Sequence, residues 1–545
     1  MTRTLQVIAF LLLLAPDSYA QFTLQDTLRG SITPERAWWD LTYYHLDIAV
    51  DMAERTIAGS NTVQYRVLEP GTRMQIDLQP PMQIDAVEQD GDDLEFERLG
   101  NVYYITLRAD QKPGAVNNIL ITYSGQPREA VNAPWDGGFS WKVDDNGNPF
   151  VATSDQGIGA SLWWPNKDHM YDEPDSMLIS VRVPDSLMDV SNGRLRSVEG
   201  HDDGTRTFHW FVDNPISNYG VNVNIADYVH WSETYEGEKG TLDLSFYVLP
   251  YNLPRAERQF KQTHMMLRAF EYWFGPYPFY EDGFKLVEVP YLGMEHQSSV
   301  TYGNGFGNGY LGRDLSGSGW GLEWDYIIIH ESGHEWFANN ITYRDIADMW
   351  VHESFTTYAE NLFIDYHYGT KAATEYVIGQ RRSVRNASPI IGRYDVNQEG
   401  SGDMYPKGAN MLHTIRTMVD DDEKWRSVLR GLNEEFYHQT VTTQQIEQYM
   451  IDHTGLDLQP VFDQYLRDFR IPALEYRWEG GRFNYRWTNA IDRFNMPVEV
   501  NIAGRVYFLH PTSSWQEKAI ETNGESDEIG EVTLNPNYYV TITGV

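Results

Sequence analysis

The chain has 545 residues, a formal net charge of −36, 41% hydrophobic and 14% aromatic residues, and no cysteine. This length implies about three or four domains, and the apolar content is enough for packed cores. The charge argues against nucleic acid or a phospholipid surface as a partner, and the lack of cysteine excludes disulfides, thiol catalysis and iron–sulfur clusters, so any metal must be held by histidine and carboxylate.

The chain opens as a targeting segment. Arg3 precedes an apolar run from Leu5 to Ala15, and Ser18-Tyr19-Ala20 supplies small residues at the cleavage-determining positions. Residues 1–20 are therefore expected to be a signal peptide, and the mature protein to be exported, periplasmic or extracellular, from about Gln21. The run is too short to span a bilayer comfortably, and none elsewhere approaches that length, so integral membrane association is not expected.

Residues 21–231 read as a large antiparallel β domain. Leu46, Ile48 and Val50 alternate with polar or small neighbours, as do Ile119, Ile121 and Tyr123, with turn clusters such as Asp144-Asp145-Asn146-Gly147-Asn148-Pro149 between the runs. Residues 232–475 shift towards helical spacing, with helices expected over 255–274, 322–339, 353–368 and 409–420 and a strand over 284–289. In residues 476–545 alternation returns. Leu474, just before that range, with Tyr476 and Trp478, then Gly480-Gly481, then Phe483, Tyr485 and Trp487 form a hairpin signature opening a small β-sandwich-like domain.

The chemistry lies in the middle region, at Ile327-Ile328-Ile329-His330-Glu331-Ser332-Gly333-His334. On a helix, residues four apart differ by about 40° around the axis and about 6 Å along it, so both histidines share a face and can take two corners of a zinc tetrahedron. Glu331 lies where it reaches a water at the metal without being a ligand. The third ligand expected is Glu353, nineteen residues after His334, with Glu360 returning to the same face as a partner for a ligand histidine. The five-residue motif alone arises by chance in about 2% of chains this long, and with a glutamate at that later offset in about 0.1%.

Together these residues resemble the gluzincin zinc aminopeptidases of the aminopeptidase N family. Trp350-Val351-His352-Glu353-Ser354-Phe355 is similar to the family's Trp-Leu-Asn-Glu-Gly-Phe, and Trp336-Phe337-Ala338-Asn339 to its Trp-Phe-Gly-Asn. Leu292-Gly293-Met294-Glu295-His296 stands for Gly-Ala-Met-Glu-Asn, and Tyr405-Pro406-Lys407-Gly408 matches Tyr-x-Lys-Gly. The resemblance implies a multidomain α+β protein with a thermolysin-like α/β catalytic domain and one zinc on His330, His334 and Glu353. It also implies Glu331 as general base and acid, Tyr405 as oxyanion donor, and Glu295 with Gly293 and Met294 as the substrate-binding segment. Glu295 is implied to bind the free α-amine of a peptide. Gln156, nine residues before Pro165, sits where some family members place a second amine ligand.

The sequence departs from the pattern at His296, His352 and Ser354, which are expected to alter the amine pocket while leaving the metal ligands intact. No counterpart of the family's large helical C-terminal domain is expected, and with it a more open cleft. An extended peptide is expected to pair with the edge of the 284–289 strand. The run from Gly303 to Gly309 lacks the Gly-Lys-Ser/Thr ending of a phosphate loop and reads as a flexible loop beside the site. Two alternatives share the metal ligands: a thermolysin-like endopeptidase and a non-catalytic peptide-binding protein on a peptidase scaffold. A non-peptidase hydrolase activity also occurs in the family.

Overall fold

The computed structural model describes residues 22–109, 111–520 and 531–545. The expected signal segment lies outside the described residues. No helix among the described residues is long and apolar enough to cross a membrane. The architecture is multidomain and mixed α/β.

The N-terminal region is built on an eight-stranded sheet around the long strands Trp39–Asp51 and Thr56–Val67. Alternation works as expected: Leu46, Ile48 and Val50 are buried. The sheet is antiparallel except where Trp39–Asp51 runs parallel to Ser176–Pro184. A four-stranded sheet containing Gly138–Val143 and Pro149–Ser154 carries the chain to Gln156 at the cleft.

The catalytic region starts a few residues earlier than expected. Val229–Gly237 pairs with Gly240–Val248, which pairs with Phe284–Glu288, so the strand that spans the expected boundary at 231 belongs to the second sheet. Its alternation is the same on either side of the boundary, which is why the sequence pattern did not mark the change. The sheet runs Val229–Gly237, Gly240–Val248, Phe284–Glu288, Val300–Tyr302, Gly293–Met294. Leu242, Leu244, Phe246 and Leu286 face the helices, whereas Tyr247, Leu249 and Val287 join the N-terminal core.

This order corrects the expected docking strand. Phe284–Glu288 has a parallel neighbour on each side, so neither of its edges is free. Gly293–Met294 is the edge strand, paired antiparallel with Val300–Tyr302 alone.

The helices also differ in detail. The expected 322–339 helix is Tyr326–Gly333 followed by a wide turn, Glu335–Asn340, in which Phe337 and Ala338 leave helical geometry. It begins where Asp325 caps it, accepting from the Ile327 and Ile328 N–H groups at 3.1 and 3.4 Å. The 255–274 helix is broken into Leu253–Gln259 and Gln262–Phe274, with Phe260 buried between them. The helix expected over 409–420 starts a turn earlier, as Pro406–Val419, with proline in its first turn. Trp350–Tyr368 begins three residues before Glu353 and is buried without a break through Ile364.

The glycine-rich segment is tied down. Asn304 Nδ2 donates to the Gly307 and Gly309 carbonyls and to Asp325, at 2.8–2.9 Å. Phe306 packs on Phe260 and Tyr302. The C-terminal strands begin at Ala473 as the hairpin Ala473–Glu479 and Arg482–Thr488, turning through Gly480-Gly481 at positive φ. Their apolar side chains, including Leu474, Phe483 and Trp487, merge with the catalytic core.

Asp325 also accepts from Tyr302 Oη and Gln259 Nε2, both at 2.7 Å. Asp325→Ala removes the cap and strands these buried donors. It is expected to cost about 2 kcal/mol or more, read as a lower urea midpoint by tryptophan fluorescence.

Candidate metal centre and cleft

His330 and His334 project from one face of the Tyr326–Gly333 helix towards Trp350–Tyr368, which supplies Glu353. The two helices approach closely because Gly333 faces Thr356: a Cβ there would sit 3.1 Å from Thr356 Cγ2. Glu353 Oε2 lies 3.7 Å from His330 Nε2 and 3.4 Å from His334 Nε2. Three donors at about 2.0–2.1 Å from a tetrahedral zinc are themselves about 3.3 Å apart.

Each outer nitrogen is occupied, which turns Nε2 inward. His330 Nδ1 lies 2.7 Å from Glu360 Oε1, and the other Glu360 oxygen accepts from Tyr376 Oη at 2.6 Å and Gln380 Nε2 at 3.0 Å. His334 Nδ1 lies 3.1 Å from the Phe337 carbonyl and 3.1 Å from Thr356 Oγ1. The non-helical turn at Phe337 aims that carbonyl back at the ring, leaving the His334 Nε2 lone pair free.

Two observations test whether these residues fit a metal. Glu353 Oε2 is buried and lacks a hydrogen-bond partner. Burial acts to lower the pKa of His330, yet Glu353 and Glu360 carry it well above the ordinary imidazole value. Burial likewise acts to raise Glu353, but His334 and His330 hold it far below the usual carboxylate range. The pocket calls for positive charge among buried carboxylates, and a divalent cation on two imidazoles and one carboxylate supplies it.

Glu331, Glu295 and His334 have ligand-type atoms within 4.8 Å of one another. Burial pushes Glu331 up to about 7, against the pull of His330 and with the push of Glu295. Glu295 belongs to the edge strand's end. Its carboxylate accepts from Gln156 Nε2 at 2.5 Å and Tyr219 Oη at 3.3 Å, and its carbonyl accepts from Asn339 Nδ2 at 2.9 Å. Gln156 Nε2 also lies 3.3 Å from Glu353 Oε1, so the N-terminal region contributes directly to the site. Gly293 lets the edge strand lie on the metal helix, since a Cβ there would meet Ile327 Cγ2 at 2.5 Å. Met294 is buried against Tyr219 and Tyr291 and borders the cleft.

Tyr405 caps the Pro406–Val419 helix. Its ring lies 6.2 Å from that of His330, and burial and then Glu353 raise its pKa well above 10, keeping the hydroxyl protonated. The glycine that follows in the motif is steric: at Gly408 a Cβ would meet Ser354 Oγ at 1.9 Å. Ser354 donates to the Met404 carbonyl at 2.7 Å and so braces Tyr405 from below.

The two histidine departures lie outside the amine pocket. His352 turns away from the cleft: its Nε2 accepts from the Tyr343 N–H at 2.9 Å, and its ring stacks on Tyr343. His296 is fully buried, with Nδ1 3.4 Å from Thr301 Oγ1, and burial holds its pKa down at about 3. The structure therefore brings all nine expected residues, Gln156, Gly293, Met294, Glu295, His330, Glu331, His334, Glu353 and Tyr405, to one cleft of about 880 Å³. Tyr219, Tyr326, Thr356 and the 397–400 loop also take part and carried no motif. Only Asn339, within the Trp-Phe-Ala-Asn run, left a sequence signal.

Residues 259–465 match the family model described as the Peptidase family M1 domain. Over this segment the chain is similar to the M1 peptidases. The resemblance drawn from the motifs is thus borne out. "Probable aminopeptidase 1" of Sulfurisphaera tokodaii is 23% identical over 465 residues, covering 77% of this chain and 56% of its own. Leukotriene A-4 hydrolase of Xenopus laevis is 22% identical over 458 residues, covering 77% and 69%. Aminopeptidase N of Lactobacillus helveticus is 23% identical over 467 residues, covering 79% and 51%. The chain spans about half the length of most of these curated relatives. An M1 zinc metallopeptidase of Deinococcus radiodurans, solved as a variant bound to a Tyr-Ser-Ala substrate, shares the fold with a TM-score of 0.66 at 20% identity, covering 79% of this chain and 95% of that one.

Glu360→Ala removes the group that orients His330. It is expected to weaken zinc affinity by about 10–100-fold, measured by chelator competition, while the circular dichroism spectrum is retained.

Proposed function

We propose that this protein is a zinc-dependent aminopeptidase that hydrolyses the first residue from peptides with a free N-terminus. The observation that carries this reading is the buried Glu295 with the half-buried Gln156 beside the metal donors: an anionic anchor at that place fits an ammonium group and fixes the scissile bond one residue away.

His330, His334 and Glu353 would hold the zinc. When bound, zinc supplies Lewis acidity to the attacking water and the scissile carbonyl. Glu331 accepts the proton of that water and delivers it to the leaving amine, a role suited to a carboxyl pushed up to about 7. The Tyr405 hydroxyl donates to the developing oxyanion, a contact worth about 3 kcal/mol in comparable sites. Glu295 and Gln156 hold the α-amine, and the Gly293–Met294 edge offers backbone groups to the substrate.

The N-terminal pattern of Arg3, the apolar run and Ser18-Tyr19-Ala20 supports export to the periplasm or the medium. N-terminal sequencing of the protein from its source should then begin at Gln21.

Aminoacyl fluorogenic substrates with free or acetylated N-termini test the reaction. Only free amines should be cleaved, with turnover lost on chelation. Glu331→Gln should lower kcat by about 10²–10⁴-fold and Tyr405→Phe by about 10²–10³-fold. Internal cleavage of acetylated peptides would instead favour a thermolysin-like endopeptidase.

A further inference from the structure

A second cavity, of about 620 Å³, lies at the far end of the helix that Tyr405 caps and shares no lining residue with the metal cleft. That helix, Pro406–Val419, has 14 residues and so is about 20 Å long. One wall of the cavity is the end of this helix and the start of Asp422–Glu435. The other is built on the C-terminal strands Val498–Ile502 and Arg505–Leu509. Junctions between packed regions are favoured places for ligand sites. The two walls are clipped together, with Tyr539 N–H donating to Thr414 Oγ1 at 3.0 Å and His413 Nε2 to Asn537 Oδ1 at 2.9 Å.

The lining is short of positive charge. Four carboxylates, Asp420, Asp421, Asp422 and Glu499, face one guanidinium, that of Arg416. Arg416 is already shared by Asp365 and Asp422, at 2.6 and 2.8 Å. Asp421 accepts from the Lys424 N–H at 3.0 Å and Glu499 from Asn535 Nδ2 at 3.2 Å, both neutral donors. Asp420 ends the helix at φ 51°, and its carboxylate forms no hydrogen bond or ion pair among the described residues.

His413 is an independent sign of a missing partner. It borders the cavity, is 5% exposed, and has an Nδ1 without a hydrogen-bond partner. With Nε2 donating to Asn537, Nδ1 is a bare acceptor, and burial, which holds the ring's pKa down at about 4, keeps it one. A buried acceptor left in this way is costly until a donor reaches it. The need is therefore for positively charged N–H groups, and for several of them spread apart. Among the described residues the sets of three ligand atoms close enough to hold one metal ion both lie at the metal cleft, and none lies here. Apolar surface accompanies the carboxylates: Phe508 borders the cavity, is 54% exposed and makes no ring contact among the described residues.

We propose that this cavity binds an aliphatic polyamine, with its ammonium groups on Asp420, Glu499 and His413 Nδ1 and its methylenes along Phe508. A polyamine carries charge at separate points on an apolar stem, which matches separated acceptors beside an aromatic wall. The proposal stands apart from the aminopeptidase reading and does not depend on it.

Calorimetry with spermidine on the full, zinc-loaded chain tests this, repeated in the Asp420→Asn/Glu499→Gln double variant, in Phe508→Ala and in Glu295→Gln. One spermidine should bind per chain, about tenfold or more weakly in the double variant, about threefold more weakly in Phe508→Ala and unchanged in Glu295→Gln. Spermidine should also raise the unfolding temperature of the wild type and not that of the double variant. Binding that survives in the double variant, or that Glu295→Gln abolishes, places the amine elsewhere and overturns the proposal. Several spermidines bound without regard to these residues would reflect only the net charge of −36 and overturn it equally. Calcium or a lysine-rich peptide held through Asp420 and Glu499 by a chain that does not bind spermidine would overturn it too.

Discussion

The site depends on one electrostatic constraint: Glu353 and Glu360 are carried into the core on a helix buried from Trp350 to Ile364. Ionised carboxylates at such positions are costly unless paired. Glu360 is satisfied by Tyr376, Gln380 and His330. Glu353 has an oxygen with no hydrogen-bond partner. The two histidines that face it are locked from behind, His330 by Glu360 and His334 by the Phe337 carbonyl, so neither can turn to relieve it. The helix pair thus presents two imidazoles and a carboxylate in an arrangement that suits a divalent cation.

The same constraint explains why the site draws on two domains. The sheet of the catalytic region packs on the N-terminal core through Tyr247, Leu249 and Val287, which fixes the two bodies against each other. Gln156 reaches Glu295 and Glu353 only from that fixed position. Arg29, on the first described helix, donates to the Gly157 carbonyl, and Asn397 from the catalytic region donates to the same atom. A single backbone carbonyl beside Gln156 therefore ties together the N-terminal helix, the β domain and the cleft wall.

What was legible in the sequence followed from short-range periodicity. His330 and His334 are readable because helix geometry fixes their shared face, and Glu353 because its offset recurs with the motif. The alternation of Leu46, Ile48 and Val50 gave the β domain, and Gly480-Gly481 gave the hairpin. What was illegible is long-range or irregular. The edge role of Gly293–Met294 follows from sheet order, which pairs strands distant in sequence. The end of the metal helix at Gly333 was hidden because Trp336 and Phe337 continue its apolar pattern. Tyr219 and Glu399 sit on segments without periodicity, so nothing local announces that they meet Glu295 or the cleft.

The edge strand is only two residues long, and beyond Met294 the chain turns into the core, where Ser298 N–H bonds to Glu335. On the proposed reading, an extended peptide laid along it finds few main-chain partners past its first residues. Grip is concentrated at the leading end, and the trailing chain is left largely unread. On the proposed aminopeptidase reading, what such a cleft registers is the leading end, not the order of residues that follows it.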